Sequence, residues 1–156
     1  MIGTLYGALS VEAAHAETVF HDIVPTATKR RVPRSRLTDL ARSPIELTTP
    51  LKLADLTGFT GLQKARVSRA ELIEVGPSHY TETVKWAEAV YETGLAGLAW
   101  MSRPAPDTVA FLLFADRLPA GSLVADPTDA VPLAYGPGFA ETLQVAHQAD
   151  ITIVEP

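Results

Sequence analysis

The chain has 156 residues, of which 47% are hydrophobic and 20% are charged. This length and composition are enough to bury one hydrophobic core, which excludes wholesale disorder and predicts a single domain over residues 1–156. The formal net charge of -5 argues against direct binding of nucleic acid. The absence of cysteine excludes disulfides, thiolate zinc sites and a cysteine nucleophile.

No apolar run approaches the roughly 18 to 20 residues that a membrane span needs, and the N-terminus lacks the basic and apolar regions of a signal peptide. We therefore expect a cytoplasmic protein with no membrane partner. The four histidines do not have the spacing of metal ligands, since His15 and His21 are six residues apart and His79 and His147 are distant. The sequence predicts no metal site.

Five cationic residues lie within one stretch of eight residues, and they are Lys29, Arg30, Arg31, Arg34 and Arg36. In an acidic protein such a cluster needs either open solvent or an anionic neighbour. Three interpretations remain open: a solvated loop, a phosphate-binding site and a contact for an acidic partner.

The first part of the chain predicts a strand followed by a helix. Residues 4–9 have the pattern of a short buried strand, and Ser10 is placed to cap a helix that begins at Val11. We expect this helix to reach residue 22 or 23, where Pro25 stops it.

A connection and a second strand are predicted next. Residues 26–44 lose their periodicity and gain charge, which predicts an exposed connection with one helical turn near residues 36–41. Residues 47–55 alternate between apolar and polar or small side chains, which is typical of a half-buried strand. The sequence after Asp55 predicts a loop.

The clearest helix is predicted over residues 78–93 and ends at Gly94. Its apolar stripe, which should pack on a sheet, consists of Tyr80, Val84, Ala87 and Tyr91. Two strands over 97–101 and 108–115 should follow, joined by a proline-bearing loop that exposes Ser102 and Arg103.

A last helix over residues 139–148 and a terminal strand over 151–154 complete the pattern. Strands and helices interleave without a regular βαβ rhythm. The sequence therefore predicts an α+β fold with a mixed sheet.

Glycine-rich dinucleotide fingerprints, P-loops, nucleophile elbows and HExxH motifs are all absent from the sequence. Three other segments stand out: Tyr6 to Glu17, Trp86 to Gly97, and the run Trp100-Met-Ser-Arg that leads into Phe111-Leu-Leu-Phe. Their order resembles that of the RES domain, in which a strand tyrosine and a helix glutamate are followed by a glycine and an aromatic residue before a serine. Residues 51–56 resemble the middle strand of that family, so the resemblance covers nearly the whole chain.

The resemblance implies a mixed, mostly antiparallel sheet flanked by helices, similar to the fold of ADP-ribosyltransferases. It implies a toxin of a bacterial toxin-antitoxin pair that acts on NAD+ as substrate, without a further cofactor. NAD+ would be broken down by phosphorolysis or hydrolysis, or its ADP-ribose would be transferred to a protein. The implied partners are an Xre-like antitoxin and further copies of the chain.

Cleavage between ribose and nicotinamide builds positive charge on the ribose, which a nearby carboxylate and an aromatic surface stabilise. The resemblance implies that Glu17 supplies the carboxylate, that Tyr6 stacks on a base and that Ser102 holds the nucleotide. Each residue also has a structural alternative: an exposed helix glutamate, a tyrosine in the core and a turn-forming serine. Ser102 is not predicted to be a nucleophile, because no His and Asp arrangement is visible to activate it.

Several neighbouring residues are candidates for supporting roles. Arg103 follows Ser102 and can neutralise a pyrophosphate. His21 follows Glu17 by four residues, so it lies on the same helix face and either orients the glutamate or caps a polar patch. Of the two tryptophans, which are predicted core residues, Trp100 is the better candidate for lining a pocket.

Members of the family carry a segment with a glycine pair, an arginine and an asparagine before the tyrosine, and that arginine binds NAD phosphates. Here Met1 stands directly ahead of the Tyr6 strand, so we expect the arginine-bearing segment to be missing. The candidates for replacing its cation are Arg30, Arg31, Arg34 and Arg103. The same departure favours an alternative in which the chain is a catalytically weak module that binds NAD or an antitoxin.

Overall fold

A computed structural model describes residues 2–23, 27–66, 68, 80–102, 105 and 107–155, with backbone alone for residues 80–83. In chain order the elements of these residues are β1 (Thr4–Ala8), α1 (Val11–Thr18), β2 (Arg31–Pro33), β3 (Ala41–Arg42), β4 (Glu46–Leu47), β5 (Leu53–Leu56), α2 (Phe59–Ala65), α3 (Tyr80–Glu92), β6 (Gly97–Met101), β7 (Val109–Phe114), β8 (Leu123–Val124), β9 (Val131–Pro132), α4 (Gly136–Gln148) and β10 (Thr152–Val154). Short 3₁₀ turns cover Arg34–Leu37, Ala115–Arg117 and Pro127–Asp129.

The main sheet has the strand order β1-β7-β6-β5. Strand β7 is antiparallel to both β1 and β6, whereas β5 is parallel to β6. Three further pairs lie outside this sheet: β2 with β10 is parallel, and β3 with β9 and β4 with β8 are antiparallel. The predicted α+β fold, with a mixed and mostly antiparallel sheet flanked by helices, is confirmed.

One hydrophobic core, the sheet cluster, lies on a face of the main sheet and consists of Leu56, Leu98, Leu112 and Phe114. Helices α2 and α3 cover it with Leu62, Ala65, Ala87, Val90 and Tyr91. The approach of α2 to β5 requires glycine at position 61, because a Cβ there would lie 1.7 Å from the carbonyl oxygen of Asp55. The apolar packing expected of α3 is confirmed for Ala87 and Tyr91, whereas Val84 is 53% exposed and the side chain of Tyr80 lies outside the described residues.

The second core, the helix cluster, is formed by Val19, Phe20, Val32, Leu37, Leu133, Ala134, Val145, Ala146 and Ile151. It lies between α1 and α4 and includes side chains of the segment between α1 and β3. Within the described part of the chain, no helix combines the length and the apolar character needed to cross a membrane.

Buried and half-buried polar side chains connect α1 and β3 to α4. The His15 ring is 1% exposed, its Nδ1 donates to the carbonyl of Val11 at 2.9 Å, and its Nε2 lies 3.0 Å from the hydroxyl of Thr142. Arg42 binds both carboxylate oxygens of Glu141, at 2.8 and 3.1 Å. These contacts fix the position of α4 relative to distant parts of the chain.

The predicted exposed connection holds for most of its described part, residues 27–44, but this part contains strands β2 and β3 and two buried side chains. Val32 is 1% exposed and Leu37 is 0% exposed. The reason is long-range pairing, because β2 pairs with β10 and brings Val32 into the helix cluster. The predicted helical turn lies slightly earlier than expected, as the 3₁₀ turn Arg34–Leu37.

Three other boundaries differ from the prediction. Helix α1 ends at Thr18 rather than near residue 22, because Phe20 turns into the core and its N–H bonds to the carbonyl of His15. The predicted strand over 47–55 is two strands, since β4 pairs with β8 while β5 joins the main sheet. The loop predicted after Asp55 is short and leads into helix α2.

Candidate functional site

Tyr6 lies in the middle of β1, an edge strand of the main sheet, where it is paired with Leu112. The residue is 63% exposed, so the alternative of a core tyrosine is wrong, as is the expectation that this strand is buried throughout. Partial desolvation of its hydroxyl raises the pKa of Tyr6 above the usual value. The phenol therefore keeps its proton near neutral pH and can donate a hydrogen bond beside an accessible ring.

Glu17 lies near the end of α1, which begins where the Ser10 hydroxyl accepts the N–H of Ala13 at 3.1 Å. Its side chain is only 14% exposed, so the alternative of an exposed helix glutamate is wrong. Oε2 lies 3.8 Å from Nδ1 of His21. Oε1 is buried and has no hydrogen-bond partner in the described part of the chain.

A buried carboxylate oxygen without a donor is costly, because the oxygen has lost its hydration without a compensating bond. The hydrogen-bonding capacity of Glu17 is thus largely unused. His21 is close enough to orient the carboxylate, but it lies beyond the end of α1 at Thr18, so the prediction that the two residues share a helix face is wrong.

Ser102 follows β6 and is 0% exposed, so the prediction that its loop exposes the side chain is wrong. Its N–H donates to the carbonyl of Thr108 at 2.9 Å, and its Oγ accepts the N–H of Ala105 at 3.1 Å. These two bonds close the turn between β6 and β7, which is the turn-forming alternative. Arg103 lies outside the described residues.

The cationic cluster divides into three environments. Arg34 binds the Ala134 carbonyl and Glu155, and Arg36 binds Asp22, so two of the five cations stabilise the fold. Lys29 and Arg31 are exposed, in agreement with the solvated interpretation. Arg31 faces outward because it alternates on β2 with the buried Val32.

Arg30 forms the third environment and lines a cleft of about 320 Å³ between α1 and α4. The lining consists of Glu12, Ala16, Phe20, Ile23, Arg30, Ala105, Val145, Gln148, Ala149 and Ile151. Positions 12 and 16 are four residues apart on one face of α1, a spacing that the sequence analysis did not use. Ala16 lines the cleft, and its small side chain leaves space on this face of α1.

The predicted site residues are only partly brought together. Glu17 and His21 are neighbours, but no hydrogen bond joins Tyr6, Glu17 and Ser102 within the described part of the chain. None of these side chains lines the α1–α4 cleft. Two of the predicted site residues are next to residues that line the cleft. Glu17 follows Ala16 in the sequence, and the Ser102 hydroxyl accepts a hydrogen bond from the N–H of Ala105.

Neither tryptophan lines the α1–α4 cleft. Trp100 is half-buried against the sheet cluster rather than in the cleft, and Trp86 on α3 is half-buried as well. Among the described residues, no group of three or more His, Asp or Glu side chains is arranged to hold a metal ion.

Comparison with known proteins bears on the family of the chain. No curated protein and no solved structure matches it. The family model described as the RES domain matches residues 1–136 of the 156 residues. The match covers Tyr6, Glu17, Ser102 and both tryptophans, so the chain belongs to the RES-domain family.

Proposed function

We propose that this chain is the toxin component of a toxin-antitoxin pair and that it cleaves the bond between ribose and nicotinamide in NAD+. RES domains are NAD-related modules of toxin-antitoxin systems and are associated with enzymatic activity on NAD. They generally pair with an antitoxin, and we propose an Xre-like protein as the partner here. The likeness to the ADP-ribosyltransferase fold and self-association stay predictions.

The observation that carries the proposal is the state of Glu17. Its side chain is only 14% exposed, and the buried Oε1 has no donor in the described part of the chain. As the bond to nicotinamide lengthens, positive charge develops on the ribose. A carboxylate that is already desolvated and has a free oxygen stabilises this charge strongly, because little solvent must be reorganised.

Tyr6 and Ser102 have the supporting roles. The accessible ring of Tyr6 offers a stacking surface for a base, and its protonated hydroxyl offers a donor. Ser102 accepts a bond from Ala105 but retains its own hydroxyl proton, which we propose it donates to a nucleotide oxygen. Arg31 and Arg103 remain candidates for the pyrophosphate, and His21 for orienting Glu17.

The reaction balances in two ways. With water as acceptor, NAD+ gives ADP-ribose, nicotinamide and a proton. With inorganic phosphate as acceptor, it gives ADP-ribose 1″-phosphate and nicotinamide. In both cases the electron pair of the broken bond leaves with nicotinamide, and the acceptor oxygen forms the new bond to the ribose carbon.

The test is nicotinamide release from NAD+ by the full chain, with and without phosphate, followed by mass spectrometry. We expect Glu17→Gln to lower the rate about 100-fold or more, because the amide removes the charge without changing the shape. Glu88→Gln, at an exposed position on α3, is the matched control and should retain the wild-type rate. Unchanged turnover in Glu17→Gln, or no release by the wild type, would overturn the proposal.

The products identify the acceptor. Labelled NAD+ that leaves only free ADP-ribose or its phosphate supports cleavage. A covalent label on a protein would instead make the chain a mono-ADP-ribosyltransferase.

A further inference from the structure

The α1–α4 cleft has the size and the chemistry of a binding site for a small molecule. Its volume of about 320 Å³ is within the range of ligand pockets, roughly 300 to 1,000 Å³. Seven of its ten lining residues have apolar side chains, and the polar ones are Glu12, Arg30 and Gln148. Mostly apolar walls with few polar groups are typical of sites that bind organic molecules.

The decisive feature is Arg30. Its carbonyl accepts the N–H of Thr152, but its side chain makes no hydrogen bond or ion pair within the described part of the chain, and its Nε is buried without a partner. By contrast, Arg34 and Arg36 of the same cationic cluster are each paired with a carboxylate, at 2.8 and 2.7 Å. A guanidinium at the wall of a partly enclosed cleft, to which no carboxylate of the described residues is bonded, is a strong attractor for an oxyanion.

The apolar part of the lining suits an apolar body. Phe20 and Ile151 belong to the helix cluster and present apolar surface to the cleft. Ala16, Ala105 and Ala149 are small and leave space between α1, α4 and the turn after β6. An enclosed space of this kind fits a compact molecule better than a helix or a strand of a partner protein.

We propose that the α1–α4 cleft binds a small organic anion, with its oxyanion on Arg30 and its apolar body between Phe20 and Ile151. The oxyanion belongs either to the phosphate of a nucleotide or to a free carboxylate. The site does not depend on the proposed cleavage of NAD+. Its ligand nevertheless contacts the helix that carries Glu17 and the turn that Ser102 closes.

Two probes distinguish the sources, namely AMP for the nucleotide phosphate and phenylacetate for the free carboxylate. Each is titrated into the full chain by calorimetry. Saturable binding of AMP that NAD+ displaces identifies a nucleotide, and saturable binding of phenylacetate alone identifies a carboxylate. Failure of both probes to bind overturns the proposal.

Three substitutions test the geometry. Arg30→Gln should weaken binding about tenfold or more, since a charge-assisted bond is lost. Lys29→Gln makes the same change of charge at an exposed position of the same cluster and should leave binding unchanged. Glu12→Gln should tighten binding several-fold, because it removes from the lining a negative charge that repels the anionic ligand. The gain should be larger for AMP than for phenylacetate.

Arg30→Gln should fold normally, since the side chain of Arg30 makes no bond to the described residues that the substitution would break. Ala149→Leu is a second variant that fills the cleft without changing the charge, and it should also abolish probe binding. Probe binding that is equal in wild type, Arg30→Gln and Ala149→Leu overturns the proposal. Nicotinamide release is measured separately, so a wild type that binds probes without cleaving NAD+ refutes the cleavage alone.

Discussion

The main sheet and the helix cluster are held together in different ways. Strands β6 and β7 are neighbours both in the sequence and in the sheet, and backbone hydrogen bonds join them. The helix cluster depends on partners that are distant in sequence, such as His15 and Thr142, which are 127 residues apart, or β2 and β10. The β6–β7 hairpin is thus specified by local pattern and backbone pairing, although β1 joins the same sheet through residues far apart in sequence, such as Thr4 and Phe114. The helix cluster relies on particular side chains, which single substitutions can remove.

The largest expected effect is that of Leu37→Ala. Leu37 is 0% exposed in the helix cluster, so its truncation should cost about 2 to 5 kcal/mol of unfolding free energy, measured by urea denaturation. Amide hydrogen exchange should rise first in α1, α4 and β10, with less change in β6 and β7. Leu98→Ala is the matched control in the sheet cluster. Equal rises everywhere in both variants would mean that the two regions open as one unit.

This difference explains what the sequence could predict. Strands β6 and β7 and helix α3 have strong local periodicity, and their predictions are confirmed over the described residues. The burial of Val32 could not be predicted, because it depends on β10, whose residues lie about 120 positions later. Two-residue strands such as β3 and β4 are too short to show any period.

The site was predictable to a similar extent. The motif order of the family identified Tyr6 and Glu17 as candidates, and the structure adds that one is exposed and the other is desolvated. The burial of Ser102 depends on the turn that closes with Thr108, which composition does not reveal. The isolation of Arg30 could not be predicted, because its charged neighbours in sequence find partners elsewhere in the fold.

The second largest effect should follow from Thr142→Val. The substitution keeps the shape of a 0% exposed side chain but removes the hydroxyl that lies 3.0 Å from Nε2 of His15. The ring nitrogen is then buried without a partner, which should cost about 1 to 3 kcal/mol. Urea denaturation of the variant measures this cost.

A double variant provides the control for this prediction. In His15→Leu/Thr142→Val, both polar groups are gone, so the loss should be smaller than the sum of the two single losses. Additive losses would contradict the view that His15 and Thr142 act as a pair between α1 and α4.

A smaller effect is expected for the ion pair between Arg42 and Glu141. Their side chains are 25% and 28% exposed, so the bidentate contact is partly screened by solvent. A double-mutant cycle with Arg42→Gln and Glu141→Gln should give a coupling of about 0.5 to 1 kcal/mol. The coupling should shrink when the salt concentration is raised. A coupling that is independent of salt would contradict this assignment.

The smallest effect is expected for a polar contact at the edge of the main sheet. Because the sheet is held together mainly by backbone hydrogen bonds, its stability should depend little on this side-chain contact. Asp55 accepts the hydroxyl of Thr57 at 2.6 Å and its N–H at 2.9 Å, and these bonds lower the pKa of the Asp55 carboxyl. A lowered pKa in the folded state stabilises the fold above the pKa of the unfolded chain, about 3.9, and this contribution is lost as the pH falls through the folded value. Thr57→Val removes the stronger bond, so it should lower the free energy of unfolding slightly at pH 7, and the difference from wild type should disappear in acid.

The same contact recurs between Asp126 and Thr128, and Thr128→Val should have the same effect. Chemical denaturation across the acid range measures both differences, and a difference that persists at the lowest pH would mean that packing of the threonine, rather than its bond to an ionised carboxylate, stabilises this edge.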